Sequence, residues 1–556
     1  MNEKISSYSS LKKLTGLSLK SLQKFFLNNR TLSSGENFFA EINIFNPTNR
    51  SLLFAFFLFF AVAICGYLSV MILSVPYRDD WYRYFWNSHV GGSEALRSGT
   101  ALVEFLFYLS DIVTDAAPFT NILSCAVLAY MACIFLKMLK VGIKDKWKII
   151  CVVPIVVNPF LLEVMLYRFD NFFITSSLLM VSVSAYLSLM NRKDCFIIQT
   201  LLLFLSLFVY QAAISVYLTT FMYEFIKKIR LGNKLIATIQ QMKYCFYSLI
   251  VSALGYVPML QHLDYCKSED GNVLAVPYNF ENIQVVVNNI GKYFYTLYND
   301  WSHCVIGLIF SIMICVFVVK NLIETAKTTK SVKSVLLIFF CLFILMICPS
   351  GLYACLKAFR GTELVTPRLL CGAGAFIVIV NYEVYLLLKK TKITDFFIKT
   401  ILCLTITWNL MFLNSAVNIM RENFKVRNLM EYEIAKDVLE ISETYPKISH
   451  FGIVGEVITP ANKNFFALYP IMNRIFLEKF DMLAYYRLGF MHTGLKKELE
   501  KTSSVFFNEP KCNSKKLIKK RMMYDLYILN GHILQIVFKE NEDRGESHSV
   551  MKLTGK

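Results

Sequence analysis

Two neighbouring carboxylates, Asp79 and Asp80, stand in the segment VPYRDDW (75–81), with Arg78 and Arg83 beside them. The segment follows directly on a long apolar run, 51–75. A carboxylate placed against a hydroxyl can take its proton and make it a nucleophile. Charge at membrane depth is costly, about 2.5–3.5 kcal/mol for an Asp or Arg at a helix centre and less near the interface. Alone, the pair reads equally well as the solvated end of a helix. Three further groups share its character. Tyr167-Arg168-Phe169-Asp170 is a charged break between two apolar runs, and Tyr210-Gln211 is a polar corner between two more. The third group runs from Arg360 through Glu363 to Pro367-Arg368. Each by itself also fits a helix cap or a snorkelling side chain. Together, acids that handle a proton and arginine forks that hold a phosphate point to group transfer.

The elements that must position these residues are membrane spans. Hydrophobic residues make up 55% of the 556, and only 18% are charged, against about 25% in an average soluble domain. Mean hydropathy is +0.47. Eleven apolar runs approach or exceed the roughly 20 residues that cross a bilayer: 51–74, 118–138, 148–166, 171–190, 195–210, 211–226, 243–262, 303–320, 334–351, 368–388 and 396–413. The fold class is therefore mainly α, a polytopic helical bundle over 51–414. Residues 1–50 form a basic N-terminal segment with seven Lys/Arg against three acids, read as cytoplasmic.

Orientation follows from the basic connectors. With the N-terminus inside, the inner connectors are 137–148, 191–194, 227–234, 320–333 and 389–399, all basic as the positive-inside rule requires. The first outer loop, 75–117, has three Arg against six acids. This N-in, C-out reading puts all four charged groups on the outer face, and none of their residues was used to derive it.

Residues 415–540 read as a small outer α/β domain. Arg421–Thr444 and Phe476–Leu499 look helical, and Ile448–Val454 looks like a strand. Asn530-Gly531 between Tyr524–Leu529 and His532–Phe538 is a strong hairpin signal. Residues 541–556 form a polar tail.

Several classes are excluded by what the chain lacks. Its fifteen Cys contain no CxxC pair, and most sit in apolar runs as small hydrophobes. There is no HExxH, GxGxxG or P-loop, so neither a metal nor another cofactor is expected. The net charge of +18 lies on the inner connectors, which argues against nucleic acid. Nucleotide-activated donors are cytoplasmic, so an outer-face transferase needs a donor carried on a lipid.

At these residues the chain resembles the integral-membrane glucosyltransferases that modify bacterial O-antigen and convert serotype, the Gtr type II group. The resemblance rests on YRDDW (77–81), Pro118-Phe119, NPFLLEVMLYRFDNFF (158–173), LFVYQAAISVYL (207–218), Pro367-Arg368 and GEVITPANKNFFALYP (455–470). It implies a fold of the membrane glycosyltransferase C type in the bacterial inner membrane, with undecaprenyl-phosphate glucose as donor. The acceptor would be a sugar hydroxyl of the lipopolysaccharide O-antigen on the periplasmic side. A lipid-glucose synthase and a flippase would supply the donor. Asp79 and Asp80 match the family's acidic pair, and Arg168 and Asp170 its RFD residues. The chain departs at Gly99-Thr100, where the family pattern suggests Gly-Arg. Catalytic roles are thus expected at Asp79 and Asp80, and substrate binding at Arg83, Arg168, Asp170, Tyr210, Gln211, Arg360, Glu363 and Arg368.

A transporter or flippase of lipid-linked sugars is the rival reading. It calls for polar residues at mid-depth in several spans and an internal repeat, whereas the spans read as apolar there. An acyl- or phosphoethanolamine-type transferase would need a metal cluster or a Ser/His pair, and neither is evident.

Overall fold

A computed structural model describes residues 50–73, 77, 80, 114–141, 145–262, 305–355, 367–389, 391–448, 450–454, 469–475, 504–506, 515–522 and 524–539, with scattered positions in 284–294 and residue 467. The chain is mostly helical, with a small sheet near its C-terminus. The principal helices are α1 (Arg50–Leu73), α2 (Phe119–Met138), α3 (Pro159–Leu166), α4 (Asn171–Leu189), α5 (Phe196–Val209), α6 (Ile214–Arg230), α7 (Lys243–His262), α8 (Val305–Thr329), α9 (Val332–Ile347), α10 (Gly372–Leu388) and α11 (Lys392–Thr444).

Among the described residues, six helices are long and apolar enough to cross a membrane. Counting the bent pair Lys146–Ile155 and Pro159–Leu166 as one span makes seven, fewer than the eleven the hydropathy runs suggest. The other runs are helical too, but shorter or more polar. For example, α5 and α10 have 14 and 17 residues. At 1.5 Å per residue they reach about 21 and 25 Å, short of the roughly 30 Å hydrocarbon layer.

The breaks have local causes. Pro154 and Pro159 bracket the 52° bend before α3, because proline has no N–H to give a preceding turn. Asn158 restarts the helix. Its side-chain oxygen accepts the Phe160 and Leu161 N–H groups at 3.0 and 3.2 Å, the usual service of an N-cap. Tyr167 is extended and ends α3, and Tyr210 does the same between α5 and α6. Helix α10 lies close to its neighbours through two glycines. A Cβ at Gly372 would meet Ser215 at 2.8 Å, and one at Gly374 would meet the Asn158 amide at 2.9 Å. That close approach brings the turn Pro367–Leu370, which precedes α10, against α3.

Helix α11 has 53 residues and no break near 415, where the composition suggests a boundary. No Gly or Pro interrupts 392–444, and the helix runs through. Its far half packs Ile434, Ala435, Val438 and Ile441 against the sheet. The strands are β1 (His450–Val454), β2 (Ser504–Phe506), β3 (Lys515–Lys520), β4 (Tyr524–Leu529) and β5 (Ile533–Phe538), in the order β2-β1-β5-β4-β3. Strand β1 runs parallel to β2 and β5, and β3-β4-β5 is antiparallel. The Asn530-Gly531 hairpin forms as the sequence predicts. Both residues have positive φ, 52° and 76°, as a type I′ turn needs. The expected helix 476–499 and the tail 541–556 lie outside the described residues.

Candidate functional site

All four charged breaks contribute a residue to one cluster at the helix ends. Asp80 follows α1 and is buried at 1% exposure. Its Oδ2 accepts the main-chain N–H of Tyr77 at 3.2 Å and that of Arg168 at 2.8 Å. Arg168 lies in the turn between α3 and α4, and its guanidinium meets Asp115 at 2.7 Å. The Arg168 carbonyl accepts the Thr120 hydroxyl at the start of α2. This corner thus joins α1, α2, α3 and α4.

Tyr167 connects that corner to Arg368. The Tyr77 ring meets the Tyr167 ring edge-on, 5.0 Å between centroids. The Arg368 guanidinium lies 4.8 Å from the Tyr167 ring centre and donates from Nη1 to its hydroxyl. The Tyr210 hydroxyl donates to the Arg368 carbonyl at 2.8 Å, so the α5–α6 corner joins as well. Beside the cluster, a small crevice is lined by Val70, Leu73, Asn121 and Leu166 and reaches Arg168.

The remaining predicted residues divide. Asp170 is buried at the N-terminus of α4, next to the cluster in sequence. Gln211 points elsewhere, donating to the Tyr256 hydroxyl of α7 at 2.7 Å. Asp79, Arg83, Arg360 and Glu363 lie outside the described residues, as do Gly99-Thr100. Among the described residues, no group of three His, Cys, Asp or Glu could hold a metal ion.

Two acids escaped the sequence reading. Asp115 sits in the acidic first loop, where only the balance of charge was read. Glu163 is fully buried in α3; its Oε2 accepts the Arg368 main-chain N–H at 3.0 Å, and its Oε1 lies 3.8 Å from Arg368 Nε. The signal was available, since Glu163 is the one acid in the apolar run 148–166, and a charge inside a span is a site candidate by default.

Other charges are buried near helix ends as well. Besides Glu163, Glu383 of α10 is buried and bonded to Arg230 (3.0 Å), Lys320 and the Tyr223 hydroxyl (2.6 Å). These charges come from separate helices, so no single run reveals their pairing.

Helices of membrane-spanning length with buried carboxylate–arginine pairs between them define a mostly helical protein of membrane type. The chain belongs to the glucosyl transferase GtrII family, whose model matches residues 68–379. It is also 30% identical over 131 residues to an uncharacterised 55.3 kDa protein in the gtrB 5′ region of Salmonella phage P22. That match covers 23% of this chain, and the chain spans only about a quarter, 27%, of that relative. No solved structure matches the chain.

Proposed function

We propose that this protein transfers glucose from undecaprenyl-phosphate glucose to a sugar hydroxyl of the lipopolysaccharide O-antigen. The observation that carries the reading is the match to the GtrII family over 68–379, a range that includes Asp79, Asp80, Arg168 and Arg368. The basic connectors support an N-in, C-out topology and with it a reaction on the periplasmic face of the inner membrane. A synthase and a flippase for the lipid-linked glucose supply the donor there. The outer domain, 415–540, helps to bind the polysaccharide.

The chemistry is one displacement. A carboxylate takes the proton of the acceptor hydroxyl, whose oxygen forms a bond to the anomeric carbon. The bond from that carbon to the phosphate oxygen breaks, and polyprenyl phosphate departs with one more negative charge. A single displacement inverts the anomeric centre. Asp79 is the proposed base. Asp80 is proposed to orient it, because two main-chain N–H groups hold its buried carboxylate. Arg168 and Arg368 receive the charge that develops on the phosphate.

The test compares O-antigen from cells with and without the protein by mass spectrometry. One added hexose per repeat is the expected result, and unchanged O-antigen refutes the reading. Flux of lipid-linked sugar across liposomes without any product would favour the transporter reading instead.

A further inference from the structure

We propose that Glu163 is a positioning residue that presets Arg368 for the phosphate. This rests on the proposed reading that Arg368 meets the donor phosphate. Arg368 is the second residue of the short turn Pro367–Leu370, and an N–H at the start of a helical turn has no partner within it. Glu163, from α3, supplies that partner at 3.0 Å. The other oxygen of the same carboxylate faces Arg368 Nε at 3.8 Å. One buried group therefore holds both the main chain and the side chain of this arginine.

Two tyrosines add to the cradle. The Tyr210 hydroxyl bonds the Arg368 carbonyl at 2.8 Å. The Tyr167 hydroxyl accepts from Nη1, and the Tyr167 ring lies under the guanidinium. The Glu163 side chain is fully buried, while that of Arg368 keeps 18% of its surface exposed. A carboxylate wholly removed from water is expensive unless it is paired. Here that cost holds one cation in one orientation at the edge of the site. Preset charge of this kind favours the state in which negative charge moves onto the leaving group, because nothing has to reorganise as it moves.

The experiment uses the full-length protein in membranes, with lipid-linked glucose as donor and polyprenyl phosphate as product inhibitor. E163Q keeps the shape and removes the charge. Y167F keeps the ring and removes only the hydroxyl. For each variant we expect kcat to fall, by about 100-fold in E163Q and about tenfold in Y167F, in line with the cost of a misplaced group. The inhibition constant for polyprenyl phosphate should rise by about tenfold. The KM for the acceptor should stay within about twofold of wild type. A smaller folded fraction would lower the apparent kcat but would leave the inhibition constant unmoved. R368A separates the two ideas. If R368A loses transfer while E163Q and Y167F keep wild-type kcat and inhibition constant, the role of Glu163 is overturned and the reading of Arg368 stands. If R368A itself behaves as wild type, the reading of Arg368 fails. Should E163Q fail to fold, Y167F decides, and an unchanged inhibition constant in it overturns the proposal.

Discussion

The Arg168 main-chain N–H donates to the Asp80 carboxylate at 2.8 Å, although 88 residues separate the two in sequence. The bond fixes the end of α1 against the break between α3 and α4. It also distinguishes the members of the acidic pair, because Asp80 is committed to main-chain donors and a base needs reach to its substrate. D79N should therefore reduce glucosyl transfer by about 10²–10⁴-fold, the usual worth of a general base, without lowering the melting temperature. D80A should cost stability as well, about 1–3 kcal/mol for each buried N–H left without an acceptor. Transfer assays and thermal melts of the two purified variants check this. Near-full activity in D79N would remove Asp79 as the base.

A second prediction concerns the other buried ion cluster. Glu383 of α10 accepts from Arg230 of α6 through both of its oxygens, at 3.0 and 3.1 Å, and from Lys320 of α8. Lys320 also donates to the Glu383 carbonyl. Removing the acid leaves two cations facing each other in a buried place, and breaking such a pair typically costs about 3–5 kcal/mol. E383A should lower the melting temperature in detergent sharply. E383Q should recover part of the loss, since its amide oxygen still accepts one bond. If E383A melts like wild type, the cluster does not hold the three helices together.

The helical architecture was legible because apolar runs and proline breaks are local features, and each expected run does contain helix. The number of spans was less legible, since hydropathy does not separate a full crossing from a 14-residue apolar helix such as α5. The β4–β5 hairpin was legible from Asn530-Gly531 alone. The continuity of α11 is not legible, because the change of composition near 415 alters which face is apolar without ending the helix. At the site, Asp80, Arg168, Tyr210 and Arg368 were found through their positions at helix ends. Glu163 stands out as the one acid of its run, but its partner and that of Asp115 lie 205 and 53 residues away, at Arg368 and Arg168. Pairing over such distances leaves no trace in a local pattern.

The C-terminal half of α11 offers a pH test. Asp437 faces the sheet and is bonded by Arg521 at 2.6 and 2.8 Å, by Lys519 at 2.8 Å and by the Tyr524 hydroxyl at 2.8 Å. Burial pushes its carboxyl up. The hydrogen bonds from Arg521, Lys519 and Tyr524 outweigh that and bring it down from 3.8 to about 2. A group with a depressed folded-state pKa stabilises the fold above its unfolded value and loses that contribution as pH falls through the folded value. The packing of the sheet on α11 should therefore weaken as pH drops from about 4 towards 2, in the direction that linkage requires. Hydrogen exchange of the peptide 524–538 in the full-length protein, corrected for intrinsic rates, measures it. D437N should be weaker at neutral pH and should show little further loss over that range. Equal pH dependence in both proteins would show that another group carries it.

The last prediction concerns Tyr77, which ties the chain beyond β1 to the acidic pair. Its hydroxyl donates to the Ile475 carbonyl at 2.6 Å, and its main-chain N–H donates to Asp80. Ile471, Met472 and Ile475 are buried in the same apolar core as α1 and α3, and the Tyr469 ring meets Phe412 of α11 at 5.1 Å. The segment is thus anchored independently of Tyr77, and the hydroxyl bond connects that anchor to the turn holding Asp80. Y77F keeps the ring against Tyr167 and removes only this bond. Stability should fall by about 0.5–1.5 kcal/mol, the net worth of one hydrogen bond. If the bond also steadies the turn, transfer should fall by more than the melting curve explains at the assay temperature, with the loss in kcat rather than in acceptor KM. A Y77F protein with lowered stability but wild-type kcat would show that the segment supports the fold and leaves the acidic pair undisturbed.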